Sequence, residues 1–252
     1  ETHPIPLPAL PPPTRGTLLP GRLGSSQFAQ GSRTVLEPVL MAAAIPAKPG
    51  QNILEIGCGA GAGRLCLSQR VAGLSGTGVE QDSATAELAR LNLHANGQHN
   101  TRILNASFPD GLDLPDSFDH CMANPPWHPG NSSASPTPRR DLARRLGPQT
   151  LNLWVRGSAA ILRHKGSLTL ALPAALADQA MMAMLTAGFG GIMLYPFWPK
   201  AGREARIVLV QARLGVRSPS RVMPGLVLHE ADGAFTATTR SVLEDAMPLP
   251  GL

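Results

Sequence analysis

The run Ile53-Leu54-Glu55-Ile56-Gly57-Cys58-Gly59-Ala60-Gly61-Ala62-Gly63 constrains the fold of this chain more than any other stretch. A short strand over Asn52–Ile56 ends in closely spaced glycines, and a helix running through Leu65 and Leu67 follows. Glycines at a strand-to-helix turn let a ligand approach the backbone, and the helix start presents N–H groups that have no partner within the helix. Read alone, Gly57-x-Gly59-x-x-Ala62 also satisfies the dinucleotide-binding fingerprint. Glu80, 23 residues after Gly57 and at the end of a second strand (Gly76–Glu80), is placed to accept hydrogen bonds from ribose hydroxyls in either case. Glu55 leans against a dinucleotide. A carboxylate two residues before the first glycine suits a cationic ligand better than a pyrophosphate, and the sulfonium and amino groups of S-adenosylmethionine supply that cation.

The same alternation continues along the chain. Leu36, Val39, Leu40 and Ala43 recur at helical spacing before the glycine run. Asp82 or Ser83 caps a helix with Ala84, Leu88, Leu91 and Ala95 on one face. Strands are predicted at Thr101–Asn105, Phe118–Ala123, Leu168–Pro173, Ile192–Tyr195 and Ile207–Val210. Helices are predicted around Leu151, Val155 and Leu162 and over Ala174–Ala187, where Met181, Met182 and Met184 read as core filler. Strands alternating with helices call for an α/β fold: a single doubly wound, seven-stranded, mostly parallel sheet with helices on both faces. Residues 1–27 read as a Pro-rich extended or disordered arm, 28–247 as the folded domain and 248–252 as a tail; seven prolines fall in the first 24 residues.

Charge divides unevenly. Residues 1–127 hold eight basic and ten acidic side chains, and residues 128–252 fourteen and seven, giving −2 and +7 of the formal +5. Such asymmetry fits a polyanionic partner or an Arg-rich solvated face. Three cysteines without a CxxC pair predict a reducing, cytoplasmic setting rather than a disulfide framework. The seven histidines are scattered, and no metal site is predicted. There is no run of 18 or more uncharged apolar residues, so no transmembrane helix is predicted.

The second informative constellation is Asn124-Pro125-Pro126-Trp127, directly after the Phe118–Ala123 strand. There it opens at the ligand-binding edge of a parallel sheet. The Asn124 side-chain carbonyl and the Pro125 backbone carbonyl offer two acceptors to one planar amino group, and the prolines stiffen the turn that holds them. Trp127 can stack on a flat heteroaromatic ring. This chemistry suits methylation of an amine conjugated to a π-system.

Glu55–Gly63, Glu80 and Asn124–Trp127 together resemble a class I S-adenosylmethionine-dependent methyltransferase of the Asn-Pro-Pro-aromatic, amino-methylating type. Within that type the chain is most similar to the bacterial tRNA adenine-N6 methyltransferases that modify the adenosine next to the anticodon of a valine tRNA. The likeness covers about residues 28–247. It includes Gln30-Gly31-Ser32-Arg33 leading into Leu36–Leu40, the Trp198–Arg203 loop and the closing Leu228–Thr236 segment, which reads as a loop.

The resemblance implies S-adenosylmethionine as cofactor, held by Glu37, Glu55, Gly57, Cys58, Gly59, Gly61, Glu80, Gln81, Ser107 and Asn124. It implies catalysis by Asn124, Pro125, Pro126 and Trp127, and tRNA contacts from Arg33, Arg139, Arg140, Lys200 and Arg203, with Arg144, Arg145 and Arg206 as further phosphate-contact candidates. No membrane partner is implied, and the oligomeric state stays open between monomer and weak dimer. Two positions depart from the family pattern: Trp127 stands where Tyr or Phe is usual, and Ser107 where an Asp binds the cofactor's adenine amine. Other planar amines (an rRNA guanine, a DNA adenine, a protein glutamine) and a non-catalytic nucleotide-binding domain remain as alternatives.

Overall fold

The computed structural model describes residues 13–28, 36–110, 112, 114, 118–125 and 148–252. In chain order these form a hairpin of β1 (Pro13–Leu18) and β2 (Leu23–Phe28), then α1 (Glu37–Ala44), β3 (Asn52–Ile56), α2 (Ala62–Arg70), β4 (Ser75–Glu80), α3 (Ser83–Ala95), β5 (Thr101–Asn105) and β6 (Phe118–Ala123). After residue 148 come α4 (Pro148–Ile161), β7 (Leu162–Pro173), a short 3-10 turn, α5 (Ala177–Thr186), β8 (Phe189–Lys200), β9 (Ile207–Leu214), β10 (Arg221–Val222), β11 (Leu226–His229) and α6 (Ala237–Asp245).

The main sheet runs β5-β4-β3-β6-β7-β9-β8, with β9 antiparallel to both neighbours and the rest parallel. This is the doubly wound, seven-stranded sheet the alternation predicts. Its central strands are apolar on both faces, as helix-covered parallel strands must be. Ile53 packs into the core under α1, α2 and α3, while its neighbour Leu54 points into the opposite core with Phe118, Leu151 and Val155. Asp82 caps α3, its Oδ1 accepting from the Thr85 N–H at 2.8 Å.

Several features differ from the sequence expectation. Among the described residues the sheet has nine strands, because β10 and β11 pair in parallel with β8 and cover its outer edge. Leu228 and His229 therefore lie in a strand rather than a loop, with Leu226 and Leu228 buried. β7 begins at Leu162, inside the stretch expected to be helical. The polar run Arg163-His164-Lys165-Gly166, with Lys165 at φ +65°, hides that strand from a search for apolar alternation. Met184 is fully buried, but Met182 is 67% exposed, so only part of the methionine cluster fills core.

The largest difference lies in residues 1–27. From Pro13 onward the chain expected to be an extended or disordered arm is an antiparallel hairpin. Leu19 and Leu23 at its turn are buried in the α1–α2–α3 core. Two leucines 4 residues apart are too little periodicity to reveal this in a Pro-rich sequence.

Candidate active site

The glycine loop sits at the carboxyl-terminal edge of β3. Gly57, Gly59 and Gly61 adopt left-handed backbone with φ of 65°, 54° and 86°. The Gly57 and Cys58 N–H groups donate to the Val79 carbonyl at 2.8 and 3.1 Å, which ties the loop to the end of β4. A side chain at Gly59 would extend into open space, so that stretch of backbone stands bare toward whatever binds there. At Gly63 the constraint is the reverse: a Cβ there would begin 2.3 Å from Glu55 Oε1.

Glu55 and Glu80 flank the loop. Glu55 is 4% exposed, and its Oε2 accepts from the Arg64 N–H in the first turn of α2 at 3.0 Å. Burial pushes its carboxyl up to about 8, with the Arg64 backbone and charge acting downward and the Glu80 charge upward. Glu80 accepts from the Gly59 N–H at 3.0 Å and the Asp82 N–H at 2.9 Å, and burial likewise raises its pKa. A carboxylate has about four lone-pair sites, so these bonds leave acceptor capacity for hydroxyls.

A buried carboxyl that takes up charge most readily beside a cation, with a second, hydrogen-bonded carboxyl at the loop, suits a cation-bearing nucleoside better than a pyrophosphate. The donor set and the glycine cradle thus agree with S-adenosylmethionine. Glu55 would face its cationic part, Glu80 its ribose, and the loop backbone would lie along it. The cofactor supplies an electrophilic methyl group on sulfonium.

Other predicted cofactor residues distribute around this edge. Cys58 is buried in the loop, and burial together with the two carboxylates holds its thiol well above the usual range, so it packs rather than reacts. Gln81 is exposed in the β4–α3 turn, and Ser107 is exposed just past β5. Glu37 stands in the first turn of α1, a helix packed on α2.

Asn124 follows β6 directly, half-buried, and Pro125 is buried. In the β3–β6 register Glu55 pairs with Met122 and Ile56 with Ala123. Asn124 and Gly57 are the next residues of the two strands, so parallel pairing leads both to the same sheet edge. Lys200 and Arg203 lie at this same edge, because β8 runs parallel to β6. Their strand lies three spacings across the sheet from β6, about 14 Å at the usual inter-strand distance, and the register sets Lys200 further along the strand direction than Asn124. Lys200 Nζ donates to the Ala231 carbonyl at 2.8 Å. Pro126, Trp127, Arg33, Arg139 and Arg140 lie outside the described residues.

Three supporting residues escaped the sequence reading. Trp154 of α4 packs against the loop, its Cη2 3.2 Å from where a Gly57 Cβ would stand. Asn105 Nδ2 donates to both the Glu80 and Gln81 carbonyls at 2.9 Å, bracing the β4–α3 turn. Asn92 of α3 donates to the Ala60 carbonyl at 2.9 Å. Trp154 shares the apolar helical face of Leu151 and Val155; the two asparagines carry no signal in a single sequence.

Among the described residues no group of three or more His, Cys, Asp or Glu side chains converges as a metal site requires. No helix among them is long and apolar enough to cross a membrane.

This strand order, with a glycine loop and acidic strand end at its carboxyl edge, defines an S-adenosylmethionine-dependent methyltransferase of class I. A predicted O-methyltransferase from Agrobacterium tumefaciens has the same fold, with a TM-score of 0.69 and 23% identity over 84% of this chain and 97% of that one. The model of one family, the methyltransferase small domain, matches residues 19–191, and the chain belongs to that family. Among curated relatives, the tRNA1(Val) (adenine(37)-N6)-methyltransferase of Aeromonas hydrophila is 29% identical over 79% of this chain and 83% of its own length. The ribosomal RNA small subunit methyltransferase C of Pseudomonas aeruginosa is 32% identical over 59% of this chain and 44% of its own length.

Proposed function

We propose that this enzyme transfers the methyl group of S-adenosylmethionine to the exocyclic N6 amine of an adenosine in tRNA, the anticodon-loop adenosine of a valine tRNA. The observation that supports the reading is the β3–β6 register, which pairs Ile56 with Ala123 so that Asn124 and the glycine loop follow at the same sheet edge. The Asn124 carbonyl and the Pro125 carbonyl accept the two N–H bonds of the target amine and draw its lone pair out of conjugation. That lone pair attacks the methyl carbon, the N–C bond forming as the S–C bond breaks and S-adenosylhomocysteine leaves. The amine is cationic once methylated and sheds its proton afterwards, so no strong general base is needed. The chain contributes positioning and electrostatics.

The target adenosine must be unstacked to reach this edge. Lys200, Arg203 and Arg206, with Arg33, Arg139, Arg140, Arg144 and Arg145, supply the phosphate contacts, and Trp127 stacks on the base. The Aeromonas hydrophila relative, similar along most of both chains, supports adenosine in tRNA over the rRNA alternative. The Pseudomonas aeruginosa relative keeps an rRNA amine as the second reading, on a shorter match.

Incubation with unmodified tRNA and labelled cofactor, followed by nucleoside analysis, tests the assignment. N6-methyladenosine is expected; N2-methylguanosine, or label only in rRNA, DNA or protein, overturns it. Asn124→Ala should cut methyl transfer about a hundredfold or more while the affinity for cofactor changes little.

A further inference from the structure

The β1–β2 hairpin is joined to the cofactor loop through a single carboxamide. Asn92, 4% exposed on α3, accepts from the Ser26 N–H at 2.9 Å through Oδ1. Its Nδ2 donates at 2.9 Å both to the Ser26 carbonyl and to the Ala60 carbonyl inside the glycine loop. One helical turn further, Asn96 repeats the pattern on the hairpin: its Oδ1 accepts from the Gly24 N–H at 3.2 Å and its Nδ2 donates to the Gly24 carbonyl at 2.8 Å.

The spacing explains why this works. Residues four apart on a helix rise about 6 Å, and residues two apart on a strand advance about 6.7 Å. Asn92 and Asn96 therefore match Gly24 and Ser26, the strand positions whose polar groups face away from β1. Two side-chain amides stand where a third strand's backbone would pair, and the exposed edge of β2 is closed. Only Asn92 reaches onward to Ala60. A Cβ at Gly61, the next residue, would stand 3.6–3.8 Å from Leu93 and Ala89 of the same helix, so α3 lines this side of the loop.

We propose that Asn92 is a positioning residue for the cofactor: it couples the hairpin to the glycine loop, so that docking of the hairpin and binding of cofactor reinforce each other. Such coupling is reciprocal. If the docked hairpin strengthens cofactor binding, bound cofactor must strengthen the docking by the same factor. The inference concerns the cofactor loop alone and does not depend on which nucleic acid is methylated.

The test uses the full chain and S-adenosylhomocysteine, the demethylated cofactor, as probe. Hydrogen exchange at the Gly24 and Ser26 amides is measured with and without it, alongside its Kd in wild type, Asn92→Ala and Asn96→Ala. We expect saturating probe to slow exchange at Ser26 in wild type. Asn92→Ala should weaken the probe about five- to tenfold and abolish that protection. Asn96→Ala, which keeps the Ala60 bond, should shift the Kd less. A folded Asn92→Ala protein that binds the probe as wild type does overturns the proposal. So does a Ser26 amide whose exchange ignores the probe in wild type, and that comparison decides the matter should Asn92→Ala fail to fold.

Discussion

The two edges of the central sheet bury titratable groups with opposite outcomes. At the amino-terminal edge of β6, His120 Nε2 meets Gln51 Oε1 at 3.0 Å and its Nδ1 meets Ser167 Oγ at 2.7 Å. The same Gln51 oxygen accepts from the Lys48 N–H at 2.7 Å, so it is an acceptor and the His120 proton resides on Nε2. Asp119 accepts from the Asn52 N–H at 2.6 Å and forms an ion pair with Arg163. Burial, helped by the Arg163, Arg213 and Arg70 charges and opposed by Asp119, brings His120 down to about 4. Partners here satisfy partners within the protein. At the carboxyl-terminal edge Glu55 is pushed up to about 8 beside a loop of bare backbone. The comparison teaches that burial alone does not mark a site. An edge whose polar groups are matched internally is structure, and one that leaves loop backbone facing open space is prepared for a ligand.

Four measurements sharpen or break that contrast, taken from the largest effect to the smallest. Loss of turnover in Asn124→Ala heads the order, because it removes an acceptor that acts on the reacting amine. Next comes the pH dependence of cofactor affinity. Glu55 keeps its proton up to about pH 8 in the cofactor-free protein. A bound cation favours the carboxylate, so affinity should rise with pH by up to about tenfold per unit and level off above that point. In Glu55→Gln this component should vanish; equal pH slopes in the two proteins from pH 6 to 8 would show that Glu55 does not face the cation.

The third measurement probes the opposite edge. His120→Ala leaves Ser167 and Gln51 short of a buried partner and should cost about 1–3 kcal/mol in urea unfolding, with cofactor affinity unchanged. Its folded pKa is depressed, so the unfolded chain binds a proton first as pH falls. That contribution to stability is complete above the ordinary histidine value of 6.5 and is lost as pH falls toward about 4. Wild type should therefore lose more stability than His120→Ala between pH 7 and 5, and parallel losses would contradict the depressed pKa. The smallest effect belongs to Arg203→Ala. If Arg203 touches phosphate, tRNA binding weakens modestly and the slope of log K against log salt falls by about one; an unchanged slope removes Arg203 from the interface.

Much of this site is legible in the sequence because it is made of short, contiguous signals. The glycine run, Glu80 at a strand end and Asn124-Pro125 after an apolar strand each carry their chemistry within a few residues. The pairing of β3 with β6 follows from the ordinary winding of such sheets, and it delivers Asn124 to the loop. The hairpin was not legible: its stability comes from Leu19 and Leu23 reaching a core built by helices far along the chain, and from amides on α3. Nor was β7's early start, since Arg163–Gly166 carries no alternating pattern.

By itself the sequence determined the class of fold and which residue types gather at its carboxyl edge. Strand periodicity, glycine's access to left-handed backbone and the acceptor set of Asn-Pro are properties of neighbouring residues. Tertiary structure decided the protonation states of Glu55 and His120, the closure of β2 by Asn92 and Asn96, and the link from hairpin to cofactor loop. Those depend on desolvation and on partners tens of residues away, which exist only once the chain has packed.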